Sequence, residues 1–167
     1  MSTHSKGVVG DDETLARFVF SPLHVRKNGA IKPSLFSHVM NQGCSIQRES
    51  LASDRELSTF LENFLSNPEQ TWHGVVVAPC RDVRSIKLSD CPTKRTFCVY
   101  DTSERENPAH AEIFQSLVGV DNGDQNELRA HLLNAFNGGT SIYPTTYRNG
   151  SLAAFVAAEP RGATQSR

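Results

Sequence analysis

"NPAHAEIFQSLVGV", residues 107–120, decides how much of this chain is sheet. Read as a helix it begins well, because Pro108 suits a first helical turn, where a backbone N–H is not needed. Read as a strand, its body is "HAEIF" (110–114). The choice also governs His110. In a strand, Glu112 shares the face of the imidazole and can orient it or raise its pKa. In a helix, a spacing of two does not pair them. Both readings are open from these residues alone.

Working outward, the neighbouring segments read mostly as strands. "RTFCVYD" (95–101) and "CSIQRE" (44–49) have strand patterning, and "TLARFVF" (14–20) ends in Phe-Val-Phe, which favours a strand. "TWHGVVVAP" (71–79) reads as a buried strand with three consecutive valines, and "RDVRSIKLSD" (81–90) as a further strand carrying Val83, Ile86 and Leu88. Turns separate them: Pro22 in "SPLHV", Asn28-Gly29 in "RKNGA", and "NQG" at 41–43.

Two stretches have helical period. In "SDRELSTFLENFLSN" (53–67), Ser53 and Glu56 form a capping box, and Leu57, Phe60, Leu61, Phe64 and Leu65 share one face. In "DQNELRAHLLNAFNGG" (124–139), Leu128, Leu132, Leu133 and Phe136 share a face, and Gly138-Gly139 can terminate the helix. A hairpin around Asn149-Gly150 is expected near the end. Strands and helices are interspersed without regular alternation. The expected architecture is therefore α+β: a mixed or mostly antiparallel sheet with two amphipathic helices (53–67 and 124–138) packed on it. Residues 1–13 and 161–167 are expected to be flexible tails around one domain, 14–160.

Bulk chemistry narrows the function classes. The chain has 167 residues, 38% of them hydrophobic and 21% charged, which suits a globular domain with its own core. Net charge is −1, so nothing draws the whole molecule toward nucleic acid or an anionic membrane. A nucleic-acid role would need a local basic patch, and the candidates are modest. No run approaches the ~20 apolar residues that span a bilayer. The four cysteines (Cys44, Cys80, Cys91, Cys98) contain no Cys-x-x-Cys pair, so zinc spacing is absent and no metal or cofactor is expected. Free thiols and a polar N-terminus point to the cytoplasm.

Two histidines are the candidate catalytic residues. His24 follows Ser21-Pro22 and precedes Arg26 and Lys27, a setting suited to a phosphate or a polarised carbonyl. His110 follows the Asn107-Pro108 turn, which would aim it reproducibly. Each is equally an ordinary histidine bonded to a nearby turn. Arg17, Arg26, Ser34, Asn107 and Glu112 are the candidate ligand-binding residues. Arg17 and Arg48 lie inside strand-like segments, and an inward strand arginine needs a carboxylate or an anion. Cys80 follows Pro79 and precedes Arg81, which could lower its pKa. A Cys80–His110 pair is conceivable, without a local cysteine-hydrolase signature. Phosphate-loop, dinucleotide-binding, nucleophile-elbow and zinc-protease motifs are absent.

The pairing of "RFVFSPLHVRKNGAIKPSLF" with "ENPAHAEI" resembles a set of short bacterial proteins of unassigned function. The likeness covers roughly residues 15–50 and 105–114. It implies that Arg17, His24, Ser34, Phe36, Asn107 and His110 belong to one constellation, and it brings no activity with it. Two function classes follow. The first is an accessory or interaction protein with an anionic-ligand cleft around His24 and His110, its partner a protein or a small anion. The second is a metal-independent enzyme, RNase-like or of ADP-ribosyl or nucleotide-transfer type, using both histidines as acid and base.

Overall fold

The computed structural model describes residues 6–52 and 69–136. The helix expected over 53–67 and the hairpin around Asn149-Gly150 lie outside the described residues. Within them the chain is α+β: six strands form one antiparallel sheet. They are β1 (Gly7–Val8), β2 (Thr14–Ser21), β3 (Cys44–Arg48), β4 (Thr71–Pro79), β5 (Phe97–Asp101) and β6 (His110–Gln115), in the spatial order β1-β5-β6-β3-β2-β4. "HAEIF" is thus a strand. Its alternate residues Ala111 and Ile113 are fully buried, and it pairs on both sides, with β3 and with β5.

One sheet face carries the core. Leu15 and Val19 of β2, Cys44 and Ile46 of β3, Val76 and Ala78 of β4, Phe97 and Val99 of β5, and Ala111 and Ile113 of β6 form it. Three helical elements contribute the other half: the 3-10 helix η1 (Pro33–Met40), α1 (Cys80–Ser85) and α2 (Asn122–Ala135). Phe36 of η1 meets Phe136, which caps α2, at 4.9 Å between ring centroids. The opposite face is buried at the β2–β4 end, at Ala16, Phe18, Phe20 and Val75. Toward β5 and β6 it is half-open, with Cys98, Tyr100, His110, Glu112 and Phe114 half-buried.

Two sequence expectations fail. Residues 81–90 do not form a strand, since Cys80–Ser85 is a helix. Its buried residues Cys80 and Val83 are three apart, a helical spacing, and only that face meets the core. Residues 6–13 are not a tail. Val8 pairs with Tyr100, Val9 is 1% exposed, and Lys6 N–H donates to the Asp101 carbonyl. Arginines from elsewhere hold this segment. Arg48 binds both carboxylate oxygens of Glu13 (2.6 and 3.1 Å), and Arg84 donates to the Asp11 carboxylate and to the Val9 carbonyl.

Helix α2 starts at Asn122 because Asp121 and Asp124 cap it reciprocally. Leu128 and Leu132 are then fully buried, as its periodicity predicts. In β4, Val19 faces Gly74 while Phe20 faces Trp72, so His73 is the extra residue of a bulge. Gly74, at φ 145°, adopts a backbone conformation that favours glycine there.

Candidate functional site

His24 lies just past the end of β2, after the cis Ser21-Pro22 peptide. Its own N–H donates to the Phe20 carbonyl (2.7 Å), and its Nδ1 accepts the Phe20 N–H (3.1 Å). Accepting that bond fixes the tautomer, so the proton of the neutral ring is on Nε2. The residue is 9% exposed. Burial pushes its pKa down, and the charges of Arg17, Lys32 and His38 push it further, to about 4. At neutral pH His24 is therefore uncharged, with its proton on Nε2.

The elements around it are basic. Residues 14–48 contain Arg17, Arg26, Lys27, Lys32 and Arg48 and not one Asp or Glu. Arg26 and Lys27 are exposed in a tight hairpin closed by the Val25–Ile31 bridge. Lys32 precedes η1, and its Nζ donates to the carbonyls of Pro22 (2.9 Å) and Leu23 (3.2 Å). Arg17 points from β2 into the helix-covered side of the sheet. It donates to the carbonyls of Ser45 (2.5 Å) and Leu35 (3.3 Å), and its Nε is buried without a partner. Ser34 and His38 are exposed on η1. Lys32 is not among the sequence candidates, and neither is His38, which falls in a loop-like stretch of the sequence. The signal that finds them is the acid-free run, which a net charge of −1 conceals.

His110 opens β6 on the other face of the sheet. Its Nδ1 lies 2.9 Å from the Thr102 hydroxyl and 3.3 Å from the Thr102 carbonyl, which ties the neck of the β5–β6 hairpin. Glu112 shares its face, as the strand reading requires, but Thr102 and not Glu112 orients the ring. Asn107 closes the hairpin by exchanging backbone bonds with Glu104, both 3.1 Å, and its Oδ1 is buried and unpartnered.

The two histidines are not neighbours. His110 is level with Gln47 of β3 and Ala16 of β2, whereas His24 sits at Phe20. Four strand residues separate the levels, roughly 14 Å, with two strand spacings, roughly 10 Å, between β2 and β6. The constellation implied by the bacterial resemblance therefore divides. Arg17, His24 and Ser34 lie on β2, on its connection to η1 and on η1, Asn107 and His110 belong to the β5–β6 hairpin, and Phe36 is core.

Arg48 joins Glu13 and Asp101 (2.8 Å to the latter). Cys80 is fully buried, and burial raises its pKa to about 11, opposite to the lowering expected from Arg81. Arg81 instead faces Asp12 and Asp82 at the surface. Among the described residues no group of three or more His, Cys, Asp or Glu side chains is arranged to hold a metal, and no helix is long and apolar enough to cross a membrane. No family model, curated protein or solved structure matches this chain.

Proposed function

We propose that this protein is a non-catalytic interaction module that recognises an anionic group through the β2–η1 connection. The observation that carries the reading is the acid-free run: Arg17, Arg26, Lys27 and Lys32 fall in one stretch with His24 and His38 and without a single carboxylate. Charge segregated in this way steers an anionic partner to one side of a molecule whose net charge is near zero. The reading includes a reducing, cytoplasmic compartment, supported by four cysteines without a disulfide. It also takes in the likeness to short bacterial proteins, which adds no activity.

Acid–base catalysis by a histidine pair is the weaker reading, because the two rings belong to strand levels about four residues apart and to strands two spacings apart. It keeps one supporting feature. With Nδ1 held by Thr102, the other nitrogen of His110 is left toward the half-open face that also carries Glu112. The test is chemical-shift mapping with a short inorganic polyphosphate as probe. The module reading expects shifts at residues 17–38, weakened by salt and lost when Arg26 and Lys27 are changed to Glu, with thermal stability unchanged. Shifts confined to Thr102, His110 and Glu112, with RNA or NAD turned over and turnover abolished by His110→Gln, would replace it with the enzyme.

A further inference from the structure

Alternation fixes which side chains share the half-open face of the sheet. On β5 they are Cys98 and Tyr100, and on β6 His110, Glu112 and Phe114, because Val99, Ala111 and Ile113 turn to the core. Register then sets which of them meet. Glu112 is paired with Tyr100 on one side and with Ser45 on the other, and Phe114 is paired with Cys98. Directly paired residues of antiparallel strands hold their Cβ atoms roughly 4.5–5.5 Å apart. Glu112 therefore stands beside Tyr100 across the strands and beside Phe114 along its own strand.

Side-chain contacts close this group. The Tyr100 and Phe114 rings lie 5.8 Å apart between centroids and are tilted by 59°, so they make a corner and not a stack. The Phe114 ring and the Glu112 carboxylate reach one place. From the point where a Cβ on Gly43 would stand, the ring is 2.6 Å away and Oε1 of Glu112 3.2 Å away. All three side chains are half-buried, so each keeps part of its surface open. The face of an aromatic ring is negative and attracts a cation within about 6 Å of its centroid. Two rings beside one carboxylate thus make a corner that is apolar in its walls and negative in its charge.

We propose that Tyr100, Phe114 and Glu112 form a seat for a methylated ammonium group. A carboxylate alone takes any cation, and a bare metal ion or a primary ammonium is strongly hydrated. Ring faces shift the preference to a cation with an apolar, weakly hydrated surface, which methylation of the nitrogen produces. Glu112 supplies the counter-charge. The seat is opposite in sign to the β2–η1 connection and on another part of the sheet, so it stands apart from the anion-recognition reading.

The experiment is an NMR titration of the full chain with tetramethylammonium, methylammonium and potassium chlorides at matched ionic strength. Tetramethylammonium moves the ring signals of Tyr100 and Phe114 along a saturating curve, methylammonium binds more weakly, and potassium leaves both rings in place. Equal effects of all three salts mean screening alone and overturn the seat. Equal effects of the two ammonium salts overturn its preference for methylation. Tyr100→Leu and Glu112→Gln, both off the core face, each weaken binding roughly two- to fivefold, and binding unchanged in either overturns the assignment. Cys98, paired with Phe114, gives a second readout in the unaltered protein. Bound tetramethylammonium slows its labelling by a disulfide reagent and leaves Cys91 at its rate in potassium chloride, whereas equal slowing at both thiols overturns the seat. Choline and Nε-trimethyl-lysine, titrated in the same way, separate a free quaternary amine from a methylated protein side chain. A corner that takes tetramethylammonium but neither of these overturns the proposal.

Discussion

His24 and Gly43 carry the sharpest consequences at the scale of single residues. The folded protein holds His24 neutral, with a pKa of about 4 against 6.5 for an unperturbed ring, through burial first and the charges of Arg17, Lys32 and His38 second. Between those values the unfolded chain binds a proton that the folded chain refuses. The contribution is therefore full above pH 6.5 and is lost as the pH falls toward 4. A shift of this size is worth on the order of 3 kcal/mol. His24→Ala removes the bond from the Phe20 N–H to Nδ1 and should cost about 1–3 kcal/mol at neutral pH. Urea denaturation at neutral and mildly acidic pH checks both statements, since the variant should lose less than the wild type on acidification. Gly43 has φ +89°, and an added Cβ would lie 2.6 Å from the Phe114 ring. Gly43→Ala should cost about 1–3 kcal/mol, from the left-handed conformation and the contact together. Gly29, at φ +84°, has open space around it, so Gly29→Ala should cost only the conformational part, about 1 kcal/mol, in the same measurement.

Elements whose logic is local were legible in the sequence, and those held by distant partners were not. β2 and β3 announced themselves by composition and alternation. β6 was left between helix and strand, because Pro108 argued for one and "HAEIF" for the other, and only pairing on both sides decides it. Helix α2 was visible from Leu128 and Leu132, but its start was missed because Asp121 and Asp124 make the capping box in place of the usual Ser/Thr and Glu. The segment 6–13 was read as a tail because what orders it, Arg48 and Arg84, lies far along the chain. That strap should be acid-sensitive. Burial raises the pKa of Glu13, but the Arg48 and Gly10 hydrogen bonds and the Arg48 charge outweigh it, so the net shift is down. For Asp101, burial is likewise outweighed by Ser103, Arg48 and Lys6. Depressed carboxylate pKa values give stability that is present above the unfolded values and lost as the pH falls through the folded ones. Arg48→Met should cost about 1.5–3 kcal/mol, the range for hydrogen bonds to charged groups. It should also speed amide exchange at Cys80 and Arg81, whose N–H groups bond the Glu13 and Asp11 carbonyls. Unchanged exchange at those two amides would mean that Arg48 does not hold the strap.

At the scale of the whole molecule, the α+β class followed from interspersed periods, but strand order did not, because β1 joins the sheet beside β5 and β3 sits between β6 and β2. No local signal encodes those long-range pairings. Of the candidate residues, Arg17, His24 and Ser34 follow one another along β2, its connection to η1 and η1 itself, and His110 was grouped with them because similar proline turns say nothing of which end of the sheet a residue reaches. The same non-local burial governs the thiols. Cys44 and Cys80 are fully buried, Cys91 and Cys98 only partly, and all four are free. Burial raises the pKa of both buried thiols, that of Cys80 to about 11, and the attacking species is the thiolate. A disulfide reagent at neutral pH should therefore label Cys91 and Cys98 in the native protein and reach Cys44 and Cys80 only on opening, with four thiols counted after unfolding. The two slow sites should separate in Arg48→Met. The Cys80 N–H bonds Glu13, so loosening the strap should speed labelling of Cys80, while Cys44, enclosed between the sheet and η1, should react only with global unfolding. Equal acceleration at both would show that Arg48 supports the entire core and not the strap alone, and an unfolded count below four would remove the free-thiol assignment.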